Sequence, residues 1–383
     1  ATFARAYVQR HGGRMRSHDK FKTAMLILPD GFQVDVATAR TEYYEHPAAL
    51  PRVELSSIKL DLYRRDFTIN TLAIRLNPPF FGELLDFFGG QRDLKEKVVR
   101  VLHNLSFVED PTRVLRAVRF EKRFGFRIGK HTLNLIQNAL RLGILDKVDG
   151  RRLWHEIQTI LKEKRPLPAL ARLQELRVLQ AIYPKLDFPE AKAALFQEVE
   201  GVLAWYDLLD LEERIEPWRV FLLALVDQMT DQEVKEFLRR LNFPERELEE
   251  VASQKRTADR ALNRVNSSPK LQASNLYALL SPVSVEALLY ILAKARDKQV
   301  KKRLSQFIAK DRLVRPMLTG EDLKALGLKP GPIFRKVLDA LRDARLDGLV
   351  RTRQEEEDFV RNHFLKGIAS GEAPRREPKS IAP

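Results

Sequence analysis

The pattern of apolar residues changes character near residue 107. Upstream, apolar residues come in short runs and alternations. TAMLILPDGFQVDVATAR (23–40) carries two runs around Pro29-Asp30-Gly31, FTINTLAIRL spans 67–76, and GELLDFFGG (82–90) ends on Gly89 and Gly90. Such runs, broken by a Pro-Asp-Gly turn, predict strands and a hairpin. From 107 onward the chain is leucine-rich with helical spacing, which predicts amphipathic helices to near its end. The division constrains the fold to an α+β N-terminal head followed by all-α domains.

The switch falls at FVEDPTRVLRAVRF, residues 107–120. Asp110 before Pro111 predicts a helix start, with a carboxylate at the N-cap and proline at the first helical position. Each helical residue turns about 100°, so Arg113, Arg116, Arg119 and Arg123 fall within a sector about 120° wide. Val114, Leu115 and Val118 point elsewhere and are expected to pack. One helix therefore carries a cationic stripe with Asp110 at its mouth. Charged helix faces are common, so these residues alone favour a solvated basic face and an ordinary cap.

Composition narrows the chemistry. The 383 residues, 44% of them hydrophobic, suffice for two to four domains. A net charge of +15 predicts a polyanionic partner, nucleic acid ahead of an anionic membrane. With no cysteine, disulfides, cysteine-based metal sites and thiol catalysis are excluded. The seven histidines form no H-x-x-x-H pair, which argues against a zinc enzyme. Neither a Walker A loop nor G-x-G-x-x-G occurs. No apolar run is long enough to span a bilayer and the first residues lack a signal-peptide core, so the expectation is a soluble cytoplasmic protein.

DLYRRDFTIN (61–70) is a second dense cluster. Read as a strand, it puts Asp66, Thr68 and Asn70 on one face, beside Arg64 and Arg65, which suit phosphate oxygens. Asp35 lies on an apolar strand between Val34 and Val36. Facing inward it would need a partner or a metal, and Arg40 is near enough in sequence to be that partner. Breaks between helical units are expected at Asp149-Gly150, Arg165-Pro166, Asp187-Phe188-Pro189 and Ser267-Ser268-Pro269, with a last unit from Leu318-Thr319-Gly320.

RRDFTIN, ELLDFFGGQRDL and EDPTRVLRAVRFEKRFGF, in that order and spacing, resemble the class II tRNA nucleotidyltransferase and bacterial poly(A) polymerase family. DVATARTEYYEHPAALP (35–51) is similar to the family's segment before the first of these, and GEDLKALGLKPGP (320–332) to a tail element of some members. The resemblance implies a polymerase-β-type nucleotidyltransferase head and helical neck, body and tail. On this sequence those are 1–106, 107–165, 166–268 and 269–366, with a flexible C-terminus at 367–383. It implies template-independent transfer of CMP and/or AMP from CTP or ATP to the 3′ hydroxyl of tRNA, with Mg²⁺ as cofactor. Arg65 would then bind the triphosphate, Asp110 and Arg113 would read the base, and Arg116 and Arg119 would complete a nucleotide pocket that also takes in Asn70.

Physical chemistry supports the base-reading role. Cytosine and adenine each present an amino donor beside a ring-nitrogen acceptor; uracil and guanine present a carbonyl acceptor beside an N–H donor. A carboxylate next to a guanidinium fits the first order, and the second leaves buried polar groups unpaired at roughly 1–3 kcal/mol each.

The resemblance also implies a G-G-x-V-R-D segment and a D-x-D pair, and neither occurs before residue 18. The expectation is a head truncated at its N-terminus, with Asp35 as the third carboxylate of the metal site and a chain inactive by itself, since one carboxylate does not hold two metals. In the last unit, Gly331-Pro332 opens an amphipathic helix flanked by Lys329, Arg335 and Lys336. A helix N-terminus with such neighbours suits RNA phosphate. Poly(A) polymerase and a non-catalytic RNA-binding protein are the alternatives. The sequence does not separate CCA from CC-only or A-only addition.

Overall fold

The computed structural model describes residues 2–18, 23–43, 46, 48–49, 52–268 and 270–365. The expected flexible C-terminus, and residues 44, 45, 47, 50 and 51 of the segment at 35–51, lie outside the described residues. Two compact units are formed, one by residues up to 193 with Gln232–Glu245, the other by Ala194–Asp231 with residues from Arg246 onward.

The first unit opens with helix α1 (Thr2–His11) against an antiparallel sheet of β1 (Arg14–His18), β2 (Thr23–Ile27) and β3 (Gln33–Ala37), in that order. Ala24 and Leu26, alternate residues of β2, are buried and pack with Ala4, Tyr7, Val8, Met15 and Val36. The hairpin expected at Pro29-Asp30-Gly31 is present. Asp30 Oδ1 accepts the Phe32 N–H at 2.9 Å and Gly31 adopts φ 85°, a left-handed conformation that glycine takes without a Cβ clash. A second hairpin, β4 (Arg40–Tyr43) with β5 (Arg52–Leu55), is followed by α2 (Ile58–Tyr63), β6 (Ala73–Ile74), β7 (Leu84–Leu85), α3 (Gly90–Glu96) and β8 (Val98–Val99).

The strand expected over 67–76 is confined to Ala73–Ile74, and Thr68–Asn70 is a turn of 3₁₀ helix. Local side-chain bonds explain the difference. Asp66 Oδ1 accepts the Phe67 N–H at 2.9 Å and Asn70 Nδ2 at 2.8 Å, while the Thr68 hydroxyl donates to buried Asp93 at 2.6 Å. These bonds compete with a ladder. Asp66 and Asn70 consequently share a face and Thr68 turns the other way, which corrects the expected grouping of the three.

The helical part of this unit comprises α4 (Ser106–Glu109), α5 (Arg113–Phe124), a short β9 (Arg127–Ile128) parallel to β8, α6 (Lys130–Arg141), α7 (Gly150–Leu161), α8 (Leu167–Glu175) and α9 (Val178–Ile182). Helix α10 (Glu190–Asp207) follows, then α11 (Pro217–Leu225), α12 (Asp231–Arg240), α13 (Glu245–Ser267), α14 (Ala273–Leu280), α15 (Val285–Lys294), α16 (Lys298–Ala309), α17 (Gly320–Ala325), α18 (Pro332–Leu346) and α19 (Arg353–Val360). The expected breaks coincide with helix boundaries. Asp149 caps α7, Pro166 precedes α8, α13 ends at Ser267, and a Thr319–Asp322 capping box opens α17.

Two buried polar networks tie the second unit together. The Tyr290 hydroxyl donates to Asp227 at 2.5 Å and to Asp259 at 3.1 Å, and Lys294 pairs with both carboxylates. Burial, then the charges of Asp227 and Asp259, push the Tyr290 phenol far above its ordinary value. Further on, fully buried Glu356 accepts the N–H groups of Met317 and Leu318 and pairs with Arg345 at 2.8 Å, beside a core of Leu318, Leu323, Leu328, Val337, Leu341 and Val360.

Two glycines give opposite expectations. A methyl at Gly150 would strike the Arg240 carbonyl oxygen and lie 2.7 Å from the Leu241 carbonyl carbon, backbone that cannot swing aside. Gly150→Ala should lower stability by about 1–3 kcal/mol. A methyl at Gly201, inside α10, meets nothing within 4 Å, so Gly201→Ala should raise stability by about 1 kcal/mol through helix propensity. Melting temperatures of the two variants check both signs, and an unchanged value for Gly150→Ala would contradict the tight contact.

Candidate functional site

A cleft of about 480 Å³ in the first unit is lined by Glu42, Arg64, Arg65, Asp66, Asn70, Asp110, Arg113 and Arg116. Glu42 comes from β4, Arg64 and Arg65 from the end of α2, Asp66 and Asn70 from the 3₁₀ turn, and the rest from the approach to α5 and its first turns. The fold thus brings together Arg65, Asn70, Asp110, Arg113 and Arg116, five of the six residues expected in a nucleotide pocket.

Asp110 does not itself begin the assigned helix. Pro111 and Thr112 form a turn, and α5 is regular from Arg113. The capping chemistry is nevertheless that of an N-terminal carboxylate: Asp110 Oδ1 accepts the Thr112 N–H at 3.0 Å and the Thr112 hydroxyl at 2.6 Å. The same oxygen accepts Arg152 Nη2 of α7 at 2.7 Å. Oδ2 accepts no bond from a described residue and stays available.

The α5 arginines are not a uniform cationic stripe. Arg116 grips Asp66 Oδ2 through Nε at 2.9 Å and Nη2 at 2.6 Å, and reaches Glu156 of α7 at 3.4 Å. Arg119 is buried, lies 4.7 Å from the Phe120 ring centre and pairs with Glu163 at 3.5 Å, which removes it from the cleft lining. Arg123 shares Glu163 at 3.4 Å. Arg113 differs. Only 5% exposed, it donates to the carbonyls of Arg64 at 2.8 Å and Ser106 at 3.4 Å and makes no ion pair among the described residues.

Arg64 pairs with Glu42 at 2.7 Å and Asp61 at 2.9 Å, and Arg65 lies 3.5 Å from Asp61 with 45% of its side chain exposed. Burial would raise the Asp61 carboxyl, but the bonds from Arg64 and the Arg40 N–H, with the charges of Arg64 and Arg65, hold it below the usual range. At Arg116 burial opposes the charge, yet Asp66 and Glu156 keep the guanidinium above its ordinary value. Glu156 itself is raised, because burial outweighs Arg116 and Arg119.

Asp35 lies apart. It is exposed on β3, its Cα opposite Met25 in the register. Arg40, expected as its partner, turns to Glu42, and its backbone N–H goes to Asp61. The inward-facing expectation for Asp35 is corrected: Val36 takes the packed face, so its neighbour takes the wet one. No group of three or more His, Asp or Glu able to hold a metal occurs among the described residues. Lys329, Arg335 and Lys336 are exposed around the start of α18 in the second unit, as expected. Sequence reasoning missed Arg152 and Glu156. Their signal was opposite charge at i and i+4 on one helix, within RRLWHE.

Residues 1–100 match the family described as "Poly A polymerase head domain", and residues 125–188 match "Probable RNA and SrmB- binding site of polymerase A". An A-adding tRNA nucleotidyltransferase of Halalkalibacterium halodurans is 32% identical over 366 residues, covering 92% of this chain and 79% of its own length. The chain belongs to the class II tRNA nucleotidyltransferase family. A solved Thermotoga maritima CCA-adding enzyme complexed with tRNA is 34% identical with a TM-score of 0.72, over 97% of this chain and 84% of that one. The A-adding tRNA nucleotidyltransferase of Geobacter sulfurreducens is 46% identical over 358 residues, 92% of this chain, and the match spans 41% of that relative's length.

For a class II tRNA nucleotidyltransferase, the surroundings of Arg113 are of interest. His103 Nε2 lies 3.4 Å from Glu109 Oε2. Burial, then the charge of Arg113, holds His103 below its ordinary value. Burial raises Glu109 despite Arg113, with Glu42 adding to the rise. Both shifts run towards the uncharged forms, against the ion pair the spacing suggests, and burial decides. With the folded value of His103 below 6.5, the unfolded chain takes the proton first. Its contribution to stability is complete above that pH and is lost as pH falls towards the folded value. His103→Asn should flatten the dependence of melting temperature on pH between about 7 and 5; a slope as steep as wild type would assign it elsewhere.

Proposed function

We propose that the cleft binds CTP or ATP and that the chain serves template-independent transfer of CMP and/or AMP to the 3′ hydroxyl of tRNA. The observation that carries this reading is Arg113, a buried guanidinium held by two backbone carbonyls. A buried guanidinium whose hydrogen bonds go only to backbone carbonyls gains from a ligand that brings a further acceptor. Three residues earlier, across the turn, Asp110 keeps Oδ2 open among the described residues. Acceptor and donor side by side match the Watson–Crick edges of C and A. Arg65, largely exposed, is suited to triphosphate oxygens, and Asn70 to the sugar or base edge. Arg116 has Asp66 and Glu156 as partners, so its part is to hold the cleft wall. The relatives from Geobacter and Halalkalibacterium are named as A-adding, which supports AMP as the nucleotide added.

Mg²⁺ belongs to the chemistry the family resemblance implies, where it would assist attack of the 3′ hydroxyl. Asp35 is proposed as one of its carboxylates. A single exposed carboxylate does not fit a metal pair, so no step is derived through the metal. The head, neck, body and tail division at 106, 165 and 268 remains part of this proposal. So does RNA binding by Lys329, Arg335 and Lys336 and by the net charge of +15.

Equilibrium binding of the four nucleoside triphosphates tests the reading on this chain, and primer extension on tRNA lacking its terminal residues tests it in an enzyme that carries the full set of metal carboxylates. CTP or ATP should bind more tightly than UTP and GTP. Arg65→Ala should weaken CTP and ATP alike and leave base preference unchanged, and lysine should rescue only partly because it lacks the guanidinium fork. A changed C-to-A ratio at constant affinity would contradict the phosphate role.

Asp110→Ala should erode discrimination against U and G by about tenfold, equivalent to one hydrogen bond near 1.4 kcal/mol. Asp110→Ser separates base reading from capping, since serine caps well. If serine restores both melting temperature and base choice, Asp110 is only a cap. If wild type binds no triphosphate preferentially, the assignment of the cleft fails.

A further inference from the structure

We propose that a groove of about 380 Å³ in the second unit, formed by α10, α15 and α16, is a stacking site for one unpaired nucleotide of the RNA partner. Its floor is apolar, with Trp205 and Val202 from α10 and Leu292 from α15. Trp205 is only partly buried. Gly201, one turn before Trp205 on α10, lines the same groove. A methyl there would meet no atom within 4 Å. A mid-helix glycine costs stability relative to alanine, and here no close packing requires it. What it provides is open space in the wall of the groove.

The rim supplies what a nucleotide needs besides a ring to stack on. Lys301 is held by Glu198 at 2.6 Å. Lys302 is exposed and makes no ion pair among the described residues. The Ser305 hydroxyl donates to the Lys302 carbonyl at 2.9 Å and keeps its lone pairs for an amino group. An aromatic platform, one uncommitted ammonium and a polar edge are the elements of sequence-tolerant single-strand binding. One uncommitted cation matches a single phosphodiester and not a triphosphate, which favours an RNA-borne nucleotide over a free one. The identity of the partner rests on the RNA substrate proposed above.

The test is tryptophan fluorescence with a short oligoadenylate, tRNA and free AMP as probes. Oligoadenylate and tRNA should quench emission in wild type, and the quench should be absent from Trp205→Phe, which still stacks but does not report. Trp205→Ala should weaken oligoadenylate binding by about 5- to 100-fold, with phenylalanine recovering most of the loss. Gly201→Leu places a side chain in the groove and should weaken binding, while Gly201→Ala, whose methyl meets nothing within 4 Å, is the control and should bind as wild type. Lys302→Gln should reduce the salt slope by about 0.7.

No quench of Trp205 by either RNA, or equal affinity for AMP and oligoadenylate, would overturn the proposal. Unaltered binding by both Trp205→Ala and Gly201→Leu would do the same. Failure of the cleft assignment shows differently: triphosphate discrimination would be missing in wild type while the Trp205 signal with RNA persisted.

Discussion

Arg116 sits where three segments of the first unit meet. Its guanidinium grips Asp66 in the 3₁₀ turn at 2.6 Å, rises from α5 and reaches Glu156 of α7 at 3.4 Å. Burial works against a charge in this position, and the two carboxylates offset it. The fork geometry of arginine matters because one group must bond in two directions at fixed angles. The turn is anchored a second time from below: Thr68 donates to fully buried Asp93, which also holds Arg100 at 3.0 Å, and a methyl at Gly90 would lie 2.5 Å from the Thr68 carbonyl. The position of Asn70, and with it one wall of the cleft, follows from these contacts.

Helix α7 repeats the device one turn away. Arg152 holds Asp110 while Glu156 holds Arg116, so two residues at i and i+4 brace α5 and the turn that leads into it. Arg152 also donates to the Ala48 carbonyl at 3.0 Å, drawing the segment before α2 to the same support. The base-facing carboxylate of the proposed site is thereby fixed through Oδ1 alone, and a carboxylate fixed on one oxygen presents the other in a set direction.

Much of this was legible in residue order. The hairpin at 29–31, the change to helices after 107 and the helix boundaries at 149, 166 and 319 follow from turn chemistry and periodicity. The clustering of Arg65, Asn70, Asp110, Arg113 and Arg116 followed from motif resemblance. Three things were not legible. The stretch 66–70 reads as a strand because its apolar residues alternate, and only the Asp66, Thr68 and Asp93 bonds make it a turn. The stripe on α5 reads as free charge because its partners Glu156 and Glu163 lie some 40 residues further on. Asp35 on an apolar strand reads as inward only if both faces of the sheet are packed, yet residues 33–35 are all exposed and Val34 shows 36% exposure.

The contrast between Arg113 and Arg116 bears on how such a cleft would choose a base. A fully paired guanidinium such as Arg116 gains little from a ligand and serves as scaffold. Arg113 is more deeply buried than the partly exposed Arg116, and its hydrogen bonds go only to neutral carbonyls. In the proposed reading, selectivity would come from completing these hydrogen bonds, since a site built to hydrogen-bond its ligand rejects one that leaves the bonds open far more strongly than an apolar pocket rejects a misfit shape. Arg113 without the brace of α7 on Asp110 would be a donor lacking a fixed acceptor beside it. In the proposed reading the pair would have a fixed order of donor and acceptor because both members are held from behind.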